Sequence, residues 1–153
     1  MSRDITLTAR YWLERVLSCL GLTDSERQDC VTSASVALGD VVIVFLQPHY
    51  AERTHVVARA LVGTVPPEGQ CEPLFQMALE VQGMMCGPYV PVLCLDWPAR
   101  TLMVSSSLDS AVLAADDAAQ ILVGMRDTAR QWRNALAAPA GASAGRAEAL
   151  FQR

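Results

Sequence analysis

The amino-acid sequence predicts an α+β fold, in which helices pack on one twisted antiparallel sheet in the order α-β-β-β-α-β-β-α. Three observations predict this fold. Apolar residues recur at helical spacing in three segments, and shorter segments between them are rich in β-branched residues. The links between neighbouring strands are too short for the crossovers that parallel strands need. The 153 residues suffice for one domain, which we expect at residues 1–138.

Composition excludes several classes of protein. Hydrophobic residues make up 52% of the chain and charged residues only 18%, against about 25% charged in an average soluble domain. No apolar run approaches the roughly 20 residues of a membrane span, and Met1–Leu20 lacks the features of a signal peptide. A formal charge of −4 without a basic run argues against nucleic acid and anionic membranes as partners, and the lack of a long apolar run against membrane insertion. We expect a cytoplasmic protein whose surplus apolar surface forms an interface.

The first helix is predicted from Ser2, which can cap it, to Leu20, with Gly21 ending it. One broad apolar stripe consists of Ile5, Ala9, Trp12, Leu13, Val16 and Leu20, widened by Leu7 and Leu17. The following polar segment, Thr23–Asp29, is interpreted as a link.

Three strands are predicted next, at Cys30–Leu38, Val41–Gln47 and Thr54–Thr64. The Gly39-Asp40 turn and the short second link favour an antiparallel meander. Val41–Leu46, VVIVFL, is apolar on both faces, whereas an antiparallel strand usually has one polar face. We expect a helix to cover one face and a partner to cover the other. The alternation leaves open which set of side chains points outward.

A second helix is predicted from Pro73 to about Met85, where Gly87-Pro88 stops it. Its main apolar stripe begins at Leu74, while Phe75 and Leu79 form another row. Two apolar faces on a short helix indicate contact with the sheet on one side and with a second subunit on the other.

The rest of the chain is predicted to form a hairpin and a long helix. Val90–Leu95 and Arg100–Ser106 are the strands of the hairpin, with Trp97 at its tip. After a linker, Asp116 or Asp117 is expected to cap the helix, whose apolar stripe can cover one sheet face. Residues 139–153 are rich in Ala, Gly and Ser and are predicted to be a disordered tail.

The search for chemistry predicts no catalytic residue, no metal site and no cofactor. Motifs such as GxSxG, the P-loop, GxGxxG and HExxH are absent from the sequence. His49 and His55 are interpreted as solvated strand-end residues, and the five cysteines as small buried hydrophobes. One competing hypothesis is a small-molecule-binding module or small enzyme with a pocket between sheet and helices. Its only candidate polar groups are Arg59, Glu80, His55 and Asp96. Another is a structural subunit of a larger assembly.

The layout from Ser2 to Ala138 resembles the class I type III secretion chaperones of Gram-negative bacteria, the Tir-chaperone (CesT) family. The resemblance is carried by the opening helix ending in Leu20-Gly21-Leu22, the turn Leu38-Gly39-Asp40, the helix at Pro73 with Leu74 and Leu79, the hairpin segment Val92-Leu93-Cys94-Leu95-Asp96, and the closing helix with Ala129-Arg130-Gln131-Trp132-Arg133. Met85–Tyr89 departs from the glycine-rich segment that the family often has there.

The resemblance implies a homodimer that binds the amino-terminal segment of a secreted effector protein and keeps it soluble and export-competent, without catalysis. The side chains expected to form the groove for the effector are Leu13, Leu17, Val42, Val44 and Leu46. Those expected to join the subunits are Phe75, Leu79 and Met84. Periodicity is equally compatible with ordinary core positions for all of them.

Overall fold

The computed structural model describes residues 5–48, 54–67, 71–84 and 87–137, which form four helices and five strands. In chain order the elements are α1 (Leu7–Cys19), α2 (Asp24–Ser33), β1 (Ser35–Leu38), β2 (Val41–Leu46), β3 (His55–Thr64), α3 (Glu72–Met84), β4 (Val92–Asp96), β5 (Thr101–Asp109) and α4 (Ala115–Ala137). The predicted α+β class is confirmed, with one additional helix. The predicted tail lies outside the described residues.

One antiparallel sheet holds all five strands, in the order β1-β2-β3-β5-β4. The predicted meander of β1, β2 and β3 is confirmed, as is the hairpin of β4 and β5. β5 lies between β3 and β4, because it pairs with both. Its pairing with β3 runs along almost its whole length. This long pairing also carries β5 to Asp109, beyond the predicted end at Ser106.

The prediction of a polar link at Thr23–Asp29 followed by a strand from Cys30 is wrong, because α2 occupies this segment. Thr23 and Glu26 form a capping box in which the Thr23 amide donates to Glu26 Oε2 over 2.8 Å. Ala34 ends the helix with a left-handed φ of 50°, and β1 begins only at Ser35. The helix is polar and buries only Val31, so it has no apolar stripe that would reveal it.

Two predicted helix starts also differ from the structure. Helix α1 has Thr6 as its N-cap rather than Ser2, and the Thr6 amide donates to the side-chain oxygen of Gln47. Helix α4 starts at Ala115, so Asp116 and Asp117 lie in its first turn and not at its cap. There they complement the positive end of the helix dipole. No described helix is both long enough and apolar enough to span a membrane.

The core lies between α1, α4 and one face of the sheet, which we call the inner face. Val41, Ile43 and Phe45 of β2 are fully buried on this face. Helix α4 packs against β2, β3 and β5, which confirms that the long helix covers one sheet face. Trp12 of α1 donates its indole N–H to the Leu113 carbonyl over 3.0 Å and so links α1 to the segment before α4.

Asp40, in the turn between β1 and β2, links the sheet to the C-terminal part of α4. Its carboxylate accepts hydrogen bonds from Arg130 Nε and Arg133 Nη1, both over 2.7 Å. The same Arg133 side chain donates to the carbonyls of Leu61 and Val62. The hydrogen bond from Arg130 and the charges of both arginines lower the pKa of Asp40. Together these contacts join the C-terminal part of α4 to the β1–β2 turn and to β3.

Candidate functional site

The face of the sheet opposite α1 and α4, which we call the outer face, is apolar. Val42, Val44 and Leu46 of β2 point to this side, because they alternate with the fully buried inner set. The structure therefore answers the question left open by the sequence. It also accounts for the continuous apolar run, since each face of β2 contributes to a different apolar surface.

Neighbouring strands extend this apolar surface across the sheet. The register places Ala37 of β1, Val57 and Leu61 of β3, Met103 of β5, and Val92 and Cys94 of β4 on the same side. Val42, Leu61 and Val92 keep 45%, 48% and 41% of their surface exposed. A row of exposed apolar side chains across several strands is unusual for a monomeric soluble protein and is typical of an interaction surface.

The outer face also carries a few polar groups near its centre. Arg59 of β3 lies opposite Val44 on one side and Ser105 on the other. Ser105 is buried, and Ser107 lies opposite Val57. Within the described ranges, Arg59 Nε is shielded from solvent and has no hydrogen-bond partner. The surface is therefore apolar with one positive charge in its middle.

The geometry is suited to binding a peptide segment. An apolar sheet face can bury the apolar side chains of an extended or helical segment. In addition, β1 and β4 form the two edges of the sheet, where a further strand can add by main-chain hydrogen bonds.

Two of the five residues expected in the effector groove lie elsewhere. Leu13 and Leu17 of α1 are fully buried in the core between the helices and the sheet. A client could reach neither side chain without displacing the core around it. The large exposed apolar residues of α1 are instead Leu7 and Tyr11, one turn apart, which sequence reasoning did not assign to a binding surface. Their spacing was the available signal.

The three residues expected at a dimer interface lie on α3. Leu79 and Met84 are 74% and 59% exposed, whereas Phe75 is half-buried and packs against the core. Only Leu74 and Val81 of this helix are buried. Helix α3 therefore presents apolar side chains that the described part of one chain leaves uncovered.

The polar groups proposed for a small-molecule pocket do not converge. Arg59 and His55 lie on β3, Asp96 ends β4, and Glu80 is exposed on α3, where it accepts a hydrogen bond from Gln76. A cavity between α3, β4, β5 and α4 has a free volume of about 10 Å³, room for a single water at most. The described residues contain no group of three potential metal ligands. His49 lies outside them.

The cysteines are less buried than the sequence predicted. Cys71 is buried, with its thiol directed at the Pro66 carbonyl 3.0 Å away. Cys30 and Cys94 are half-buried, and Cys19 is exposed. Burial is the main cause that raises the pKa of the Cys30 thiol. All four are free thiols, while Cys86 lies outside the described residues.

The chain has the fold of type III secretion chaperones. It resembles SycH of Yersinia pestis, solved in complex with a stable fragment of YscM2, with 17% identity over 81% of this chain and 98% of that chain and a TM-score of 0.57. For the ExsC–ExsE complex the identity is 20% over 87% and 96% of the two chains, with a TM-score of 0.60. For the ExoU–SpcU complex of Pseudomonas aeruginosa it is 15% over 84% and 97%, with a TM-score of 0.56.

No protein-family model matches the chain, and no curated protein matches it in sequence. At 15% to 20% identity, the likeness to the solved structures establishes a shared fold.

Proposed function

We propose that this protein is a cytoplasmic chaperone of a bacterial type III secretion system, without enzymatic activity. As a homodimer, it binds the amino-terminal segment of a secreted effector protein and keeps that effector soluble and ready for export. The observation that carries the proposal is the apolar outer face, which the described part of the chain leaves uncovered. The three solved structures reported above, which share the fold, were determined as complexes with partner proteins.

The client would lie on the outer face and add to a sheet edge. Val42, Val44 and Leu46 form the β2 part of the proposed binding surface, to which Leu61 and Val92 also belong. Covering such side chains contributes about 25 cal/mol for each Å² of apolar area removed from water. An unfolded effector segment gains this energy without needing a folded surface of its own, which fits a chaperone that holds its client unfolded.

The subunits would join through α3. Leu79 and Met84 are exposed apolar side chains there, and Phe75 lies one helical turn before Leu79. Pairing α3 with its copy around a twofold axis would cover these apolar side chains in both subunits at once. The outer faces of the two subunits would then both remain available to one client chain.

Deleting the gene in its own bacterium and comparing the secreted proteins by mass spectrometry tests this function. We expect one or a few secreted proteins to disappear from the medium and to return when wild-type protein is supplied. Val42→Asp should not restore them, because a carboxylate among the apolar side chains of this surface opposes apolar binding. Val112→Asp is the matched control, since Val112 is exposed in the loop between β5 and α4.

The proposal fails if the secreted proteins are unchanged by the deletion. It also fails if Val42→Asp, purified and shown to be folded by circular dichroism, restores secretion as well as the wild type does.

A further inference from the structure

Arg59 interrupts an otherwise apolar part of the outer face. Its neighbours along β3 on the same face are Val57 and Leu61, and its cross-strand neighbours are Val44 and Ser105. The described carboxylates on this face are Asp109, opposite His55 at the end of β3, and Asp96, at the end of β4. Among the described residues, Arg59 therefore has three apolar neighbours and one serine on this face, and no carboxylate beside it.

The described part of the chain leaves Arg59 without a partner. Its Nε is buried and makes no hydrogen bond to the described residues, and none of the ion pairs among them involves Arg59. By contrast, Arg27, Arg126, Arg130 and Arg133 all pair with an aspartate. A partly buried guanidinium without a counter-charge is unfavourable, so an anionic acceptor supplied by a bound partner would be favoured at this position.

We propose that Arg59 is a specificity-determining residue that selects client segments with an aspartate or glutamate between apolar residues. This inference rests on the proposed function of the outer face. The two Nη groups of the guanidinium can supply two parallel N–H donors, which match the two oxygens of a carboxylate. A backbone carbonyl would supply only one acceptor atom. A phosphate would bring a second negative charge, for which the described part of this face has no further cation.

The same geometry sets the pattern around the client's acidic residue. In an extended segment, alternate side chains point to the same side. A carboxylate on Arg59 therefore places the side chains two positions before and after it over apolar neighbours such as Val57 and Leu61. The preferred client reads apolar-x-acid-x-apolar. A fully apolar client would cover the guanidinium without pairing it. The cost of removing this unpaired charge from water discriminates against such a client.

Peptide selection tests the inference even though the natural client is unidentified. A phage-displayed library of random 16-residue peptides is panned in parallel on the full-length wild-type protein, Arg59→Met and Arg59→Glu. We expect the wild-type pool to be enriched in Asp or Glu at one position between apolar residues. Arg59→Met should keep the apolar positions and lose the acidic one. Arg59→Glu should select Lys or Arg at that position instead.

A selected peptide then gives the magnitude. Replacing its acidic residue by the corresponding amide should weaken binding to the wild type about 10- to 100-fold, within the range for a partly desolvated charge pair. Binding to Arg59→Met should be insensitive to the same change. Arg59→Lys keeps the charge but lacks the two-donor fork, so it should retain the acidic preference with lower affinity. It also serves as the second variant if Arg59→Met does not fold.

Each other outcome overturns a defined part of the account. A wild-type pool of apolar peptides without an acidic position refutes the role of Arg59 and leaves the proposed function standing. A wild-type protein that selects no peptide overturns both. If Arg59→Met instead changes the mass of the homo-oligomer, a second copy of this chain covers the outer face and the inference is wrong.

Discussion

Val41 and Val42 provide a matched test of the two faces of the sheet. They are adjacent in β2, with 0% and 45% of their surface exposed, respectively. Replacing either residue by Ala removes the same two carbons, and the change in intrinsic strand preference is the same at both positions. The chemical change is therefore matched, and only the burial of the two side chains differs. Any difference in stability then reports the surroundings of the two side chains.

The expected difference follows from their burial. Two buried carbons contribute about 1.6 kcal/mol of transfer free energy at about 0.8 kcal/mol each. Val41→Ala also leaves a cavity in the core, which raises its cost to roughly 2–3 kcal/mol. Val42 already has about half of its surface in water, so Val42→Ala should cost less than about 1 kcal/mol. The two costs therefore differ by about 1.5 kcal/mol, and the melting temperatures of the two variants should differ by about 3–6 °C, since 1 kcal/mol corresponds to about 2–4 °C in a domain of this size.

Urea unfolding followed by tryptophan fluorescence measures the free energy of unfolding of both variants, because Trp12 and Trp132 are buried in the core and report its loss. The measurement is repeated at two protein concentrations. Equal losses of stability for the two variants would refute the reasoning, because Val42 would then be as well covered as Val41. An equal loss that depends on concentration would identify a second copy as the cover.

Two further predictions concern α4 and α3. The folded state lowers the pKa of Asp40, so its ion pairs contribute their full stabilisation above the ordinary carboxyl pKa near 4. This stabilisation is lost as the pH falls through the lower pKa that Asp40 has in the folded state. The unfolding free energy of the wild type should therefore fall more steeply than that of Asp40→Asn between about pH 5 and pH 3; parallel curves would exclude the role of Asp40. Leu79→Arg should reduce the native mass from twice 16.5 kDa to 16.5 kDa. An unchanged mass would show that the proposed α3 interface is wrong.

The sequence predicts the sheet well because strand signals here are local. The two-sided run of β2 and the Gly39-Asp40 turn define the first hairpin, and the structure pairs Leu38 with Val41 around it. Local alternation cannot say which face the helices cover, because that depends on where α1 and α4 pack. The same limit explains Leu13 and Leu17, whose spacing fits a groove and a core equally well.

Helix α2 and Arg59 were missed for different reasons. Helix α2 has almost no apolar stripe, although Thr23 and Glu26 carry the capping-box pattern that marks its start. Arg59 was considered only as a possible pocket residue. Its significance arises from the register, which places Arg59 between Val44 and Ser105. No acidic side chain of the described strands lies next to it. Such pairing across strands is a property of the fold and not of the local sequence.

Photo-crosslinking inside the bacterium tests the central claim, that the outer face binds a secreted client, most directly. A benzophenone amino acid replaces Val42, Leu61 or Val112 in turn, all of which are exposed, with only the first two on the outer face. We expect positions 42 and 61 to yield an adduct with the amino-terminal segment of a secreted protein, and position 112 to yield none. Adducts that contain only a second copy of this chain, or equal adducts from all three positions, would contradict the claim.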